Sequence, residues 1–157
     1  MVASAQTVVP VPQFDSIELR EGGHVILRYG QEQRVTIPKG STEYTRFSND
    51  SDPRKLVINT YNRQCPEHYN LEIEIVTPNI GGVGVSEGGM VESQGRFPAQ
   101  DQISAAVNEG GLVDFRSITA TNMTAAVNEG GDIVYWGNPT VSSATNEGGD
   151  IHKAGGG

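Results

Sequence analysis

Four glutamates, Glu87, Glu109, Glu129 and Glu147, each stand directly before a Gly pair, at successive spacings of 22, 20 and 18 residues. Asp132 and Asp150 follow the last two pairs at once, where Met90 and Leu112 follow the first two. Equivalent points on neighbouring strands lie ~4.8 Å apart, so a strand-forming repeat would stack these acids into a column. Ser86, Asn108, Asn128 and Asn146 would run beside them and hydrogen-bond along the stack. Carboxylate and amide oxygens are the ligands that Ca²⁺ takes, six to eight at a time, which makes Glu87, Glu109, Glu129, Glu147, Asp132 and Asp150 a candidate metal site. A solvated acidic edge is the competing reading. Each adjacent carboxylate pair repels by about 0.8 kcal/mol in water, and salt screens that repulsion. A flexible Glu on a corner is a poor preorganised cage, and the nine-residue calcium repeat Gly-Gly-x-Gly-x-Asp is absent. No resident cofactor is expected apart from that possible Ca²⁺.

Phe115, Tyr135 and Trp136 are the second candidate. They come from neighbouring repeats, with Phe115 equivalent to Tyr135, and would form either a stacking patch for sugar or ordinary packing. The single cysteine sits in Cys65-Pro66-Glu67-His68. A metal site wants three or four ligands and a nucleophile wants an oriented base, so a loop or core thiol is the expected reading. His24 and His152 lie far off in sequence.

The elements that must position these residues are strands. The chain holds 16 Val, 11 Ile and 11 Thr against 5 Leu, a β-branched bias that argues against helices. Leu71–Ile75, Gln33–Ile37 and Lys55–Asn59 alternate apolar and polar residues at period two. Residues 83–91, 105–113, 125–133 and 143–151 align with one another around the Glu-Gly-Gly corner. A fifth copy, Glu21-Gly22-Gly23, precedes Glu87 by 66 residues, about three periods, which extends the repeat in eroded form over the first half. A unit of this size cannot bury its apolar face alone, and stacking units does bury it. The expected fold is therefore all-β, a single right-handed parallel β-helix (β-solenoid) with ~18–22-residue rungs and Gly corners. Its inward ladders are Val85, Val107, Val127, Thr145 and Val91, Val113, Ile133, Ile151. A β-sandwich would not need the same corner every ~20 residues.

Residues 13–153 are expected as one domain, irregular over 13–80 and regular over 81–153. Residues 1–12 read as an export-signal remnant and linker, since Ala3-Ser4-Ala5 is a small-x-small triplet and Pro10 and Pro12 suit a linker or edge strand. Residues 154–157 read as a Gly tail.

Phe14-Asp15-Ser16-Ile17-Glu18-Leu19, the following Gly pair, Val25-Ile26-Leu27, Gln33–Ile37, Leu56-Val57-Ile58, Ile73–Pro78 and the Gly corners resemble the bacterial "putative auto-transporter adhesin, head GIN domain" family over about residues 13–153. The resemblance implies a right-handed parallel β-helix exported to the cell envelope, with no established enzymatic activity. This chain uses Asn-Glu-Gly-Gly where that family usually has a small-Gly-small-Gly corner, so a shared ligand does not follow.

Function is bounded by charge and by what is missing. The net charge is −8, and the repeat half carries three basic residues, Arg96, Arg116 and Lys153, which disfavours nucleic acid as partner. No apolar run approaches the ~18 residues that a membrane span needs. Neither a nucleophile motif nor a phosphate-binding loop is present, and short corners offer no wall for a cleft. The expectation is a non-enzymatic protein of the periplasm or cell surface that binds a protein or glycan through a regular face. Its alternatives are Ca²⁺-dependent or polysaccharide binding, and a polysaccharide-active enzyme ranks behind these. The terminal segment from Thr145 to Lys153 ends without a cap, so it either templates a second copy or lies under a flap from the N-terminal segment.

Overall fold

Apolar and polar residues alternate along nearly every extended stretch, and burial follows that alternation. Glu72–Thr77 runs part-buried, buried, three times over, and Gly82–Ser86 and Met90–Gln94 repeat the pattern. The computed structural model describes residues 7–9, 13–20, 23–39, 45–48, 54–60, 72–137 and 139–153, with fifteen strands and no helix among them. The strands are β1 (Thr7–Val9), β2 (Ser16–Arg20), β3 (His24–Tyr29), β4 (Arg34–Lys39), β5 (Thr45–Ser48), β6 (Lys55–Thr60), β7 (Glu72–Thr77) and β8 (Gly82–Ser86). They continue with β9 (Met90–Gln94), β10 (Gln100–Asn108), β11 (Leu112–Phe115), β12 (Ala120–Asn128), β13 (Asp132–Tyr135), β14 (Thr140–Asn146) and β15 (Asp150–Lys153).

They form two sheets. One has eight strands in the order β1-β4-β7-β3-β9-β11-β13-β15, the other seven in the order β14-β12-β10-β8-β2-β6-β5. The inward residues of both sheets make one core cluster, from Phe14 and Ile17 through Val91 and Val113 to Ile133. From β8 onward the chain alternates between sheets, and from β10 onward each strand pairs in parallel with the one two before it. Val85, Val107, Val127 and Thr145 share one cross-strand row, and Val91, Val113, Ile133 and Ile151 share another. Thr145 is nevertheless exposed, because among the described residues no strand follows β14 in its sheet.

The expectation of a single right-handed β-helix is overturned. In such a helix successive rungs stack in chain order, whereas here β2 lies between β6 and β8, and β3 between β7 and β9. The sheets are also mixed: β1 with β4, β4 with β7 and β5 with β6 pair antiparallel. No eroded rungs separate the first corner from the second, since Met90 N–H donates directly to the Gly23 carbonyl at 2.9 Å. The intervening chain builds β4 to β7 on the far side instead. The physical reason lies in Ile17 and Leu19, buried residues that pair with Leu56 and Ile58 on one side and Val83 and Val85 on the other. Both neighbours offer the same inward apolar spacing, so local pattern does not rank them.

Two glutamines close the irregular part. Gln33 Nε2 donates to the Phe14 carbonyl at 2.8 Å while its Oε1 accepts from Phe14 N–H at 3.0 Å, as a strand would. Gln100 does the same for Ile80, at 2.7 and 3.2 Å. The described part of the N-terminal segment, β1, lies on β4, at the opposite edge of its sheet from β15. It is an edge strand there, not a flap over the terminal strands.

Candidate functional site

The Glu-Gly-Gly corners are built by backbone conformation. Glu87, Glu109, Glu129 and Glu147 take φ of 57, 60, 59 and 55°, and the Gly after each takes 81 to 90°. The left-handed region costs an L-residue roughly 1–2 kcal/mol, so glycine alone would suit both positions. The second Gly is required for space: a Cβ on Gly111 would sit 2.5 Å from Val85 Cγ1 and 3.0 Å from the Gly89 carbonyl. Successive corners are tied together. Glu109 N–H donates to the Asn128 carbonyl at 3.0 Å, and Asp132 N–H to the Gly111 carbonyl at 3.0 Å. The four glutamate side chains themselves are exposed. Among the described residues no three of them bring carboxylate oxygens within 4.8 Å of one another.

Beside the corners the asparagines form the expected ladder. Asn146 Nδ2 donates to Asn128 Oδ1 at 3.0 Å, and Asn128 Nδ2 to Asn108 Oδ1 at 3.2 Å. This ladder rails a groove of about 770 Å³ across the outer face of the seven-stranded sheet. Gly84, Ala106, Ala126 and Ala144 make its floor, and Glu18, Arg20 and Lys55 its charged end. Burial pulls the Glu18 carboxyl up, but hydrogen bonds and charge from Arg20 and Lys55 outweigh that and hold it below the ordinary value.

The outer face of the eight-stranded sheet carries paired charges. Arg28 Nε meets Glu74 at 2.6 Å, His24 Nε2 meets Glu92 at 3.2 Å, and Arg116 Nη2 meets Asp114 at 2.6 Å. Asp114 is nearly buried, and its carboxylate also accepts the Arg116 N–H at 2.9 Å. That interaction holds the Arg116 guanidinium above its ordinary pKa. At the far end Asp132, Asp150 and His152 gather, with His152 Nε2 4.0 Å from Asp150 Oδ2.

A family model described as "Putative auto-transporter adhesin, head GIN domain" matches residues 13–155. The chain belongs to that family. Two solved structures share this member's fold. A "putative cell adhesion protein" from Clostridium sporogenes is 11% identical with a TM-score of 0.55, over 94% of this chain and 97% of that one. A "putative adhesin" from Bacteroides fragilis is 14% identical with a TM-score of 0.50, over 95% and 96%. At those identities the likeness shows the fold alone. No curated protein sequence matches. No helix among the described residues of this GIN head domain is long and apolar enough to cross a membrane.

In this GIN domain the aromatic candidates are separated by burial. Phe115 pairs with Tyr135 across strands but is 1% exposed, so it packs the core and cannot stack on a ligand. Tyr135 is part-buried and Trp136 is 44% exposed. Cys65 and His68 lie outside the described residues. Two features were missed at the sequence level. The positive φ of the glutamates has no side-chain signature, because Glu rarely adopts it. His152 is distant in sequence from Cys65, yet period two puts it on the face of Asp150, two residues before it.

Proposed function

We propose that this GIN head domain acts by binding rather than catalysis, and that it docks an extended glycan in the groove on its seven-stranded sheet. One observation carries the reading: the asparagine ladder railing a floor of Gly and Ala. Small exposed side chains let a flat polymer lie close to the sheet. Side-chain amides repeat a donor and an acceptor at every ~4.8 Å strand step, which suits a polymer of hydroxyls. Glu18, Arg20 and Lys55 at one end would give the groove a direction. Membership of an adhesin family supports a role at the periplasm or cell surface.

Ala126 is exposed on the floor, so Ala126→Arg fills the groove without touching the core. Immobilised cell-envelope polysaccharides should retain the wild-type chain and release this variant. Equal retention of both removes the groove, and no retention on any polysaccharide removes the ligand class.

A second reading rests on β14 and β15, which are edge strands of both sheets at the same end. Unpaired edges template another chain, so two copies would pair there. Light scattering of the wild type and of Ile151→Pro decides: a dimer lost in the variant supports pairing, and a monomer in both rejects it.

A further inference from the structure

We propose that Asp132, Asp150 and His152 bind a divalent transition-metal cation of the Zn²⁺, Ni²⁺ or Cu²⁺ class. This site lies on the outer face of the eight-stranded sheet, away from the groove, and stands whether or not a glycan binds there.

Three strands of argument meet at these residues. The first is register. Asp132 and Asp150 are direct cross-strand partners on β13 and β15, and His152 follows on the same face of β15. One donor atom from each of the three lies within 4.8 Å of the other two. Zinc bonds of about 2.0–2.2 Å place ligand atoms of a tetrahedral site roughly 3.4 Å apart. The three side chains are exposed, so small rotamer changes close that gap without disturbing the core.

The second is charge. Carboxylates set directly opposite one another on neighbouring strands repel. The outer acids of the preceding strands, Glu74, Glu92 and Asp114, each meet Arg28, His24 or Arg116. Among the described residues no Lys or Arg pairs with Asp132, and Asp150 has the His152 ring as its basic partner, at 4.0 Å. Earlier in the same cross-strand row Glu72 lies beside His24, and Met90 and Leu112 follow, so Asp132 and Asp150 are the adjacent acids at the end of the row. A divalent cation would turn that repulsion into attraction.

The third is donor chemistry. An imidazole nitrogen with two carboxylate oxygens suits zinc, nickel or copper, whereas calcium and magnesium take oxygen alone. This separates the site from the calcium column expected at the corners, although it shares Asp132 and Asp150 with it. Three protein ligands leave the remaining positions to water. A bound ion would bridge β13 to β15 and fasten the last strand, which among the described strands has a partner on one side only.

The test is calorimetric titration of the untagged full chain with zinc chloride. One equivalent should bind. Asp150→Asn and His152→Ala should each weaken binding on the order of tenfold or more, with unchanged circular dichroism, because both side chains are exposed. His24→Ala and the double variant Cys65→Ala/His68→Ala should keep it, and equal Ca²⁺ should not compete. Zinc should also slow hydrogen exchange at residues 150–153. No zinc uptake, uptake unchanged by His152→Ala, loss in the Cys65/His68 variant instead, or equal competition by Ca²⁺ would each overturn the site.

Discussion

At Glu109 the backbone stands at φ 60° and the side chain points into water, so the residue bears conformational strain that buries nothing. Asn tolerates this region better and would extend the neighbouring amide ladder. Glu109→Asn is therefore expected to raise stability by roughly 0.5–1 kcal/mol, read as a higher urea midpoint. A loss instead would mean that the carboxylate is held by something. The two glycines that follow should differ. Gly110 has open space around it and φ 90°, whereas a Cβ on Gly111 runs into Val85 and the Gly89 backbone. Gly110→Ala should cost about 1 kcal/mol from backbone strain, and Gly111→Ala about 2–3 kcal/mol from overpacking, compared in one urea series. Glu18 sets a pH dependence. Its folded carboxyl lies below the ordinary value, so the Arg20 and Lys55 pairings stabilise fully above the ordinary carboxylate range. That contribution is lost as pH falls through the folded value. The urea-midpoint advantage of wild type over Glu18→Gln should accordingly shrink between pH 7 and about pH 3.

Among the elements, position in the stack decides what a side chain contributes. Ile133 on β13 and Ile151 on β15 are cross-strand partners, yet Ile133 is fully buried and Ile151 is partly covered. Ile133→Ala should cost about 3 kcal/mol by opening a cavity, and Ile151→Ala about 1 kcal/mol, because the end of the stack has little to lose. Gln33 belongs to this scale too, since it substitutes for a strand by satisfying Phe14 N–H and C=O together. The strands themselves were legible from residues 55–59, 83–91 and 105–113, where alternation is regular and the corners recur. The cross-strand rows through Val107 and Val113 were legible for the same reason. What alternation did not carry was which strand lies beside β2, since β6 and β8 present equivalent inward pairs.

For the whole molecule, the consequence of the topology is a gradient of order. β2, β3, β8 and β9 have partners on both sides, while β14 and β15 close both sheets at one end with exposed Thr145 and part-covered Ile151. Native-state hydrogen exchange should therefore be slower in β2, β3, β8 and β9 than in β14 and β15, since local opening follows buried contact. By itself the sequence determined the strand content, the recurring corners, the family resemblance and the placing of acids beside Gly pairs, all of which are local and periodic. The tertiary structure decided the rest. It put β2 and β3 between later strands, set β4 and β5 antiparallel to their neighbours, buried Phe115, and brought His152 to Asp132 and Asp150. Those outcomes depend on which of several equivalent apolar edges meet across long stretches of chain. That choice is made by the shared core as a whole and is not encoded at any single position.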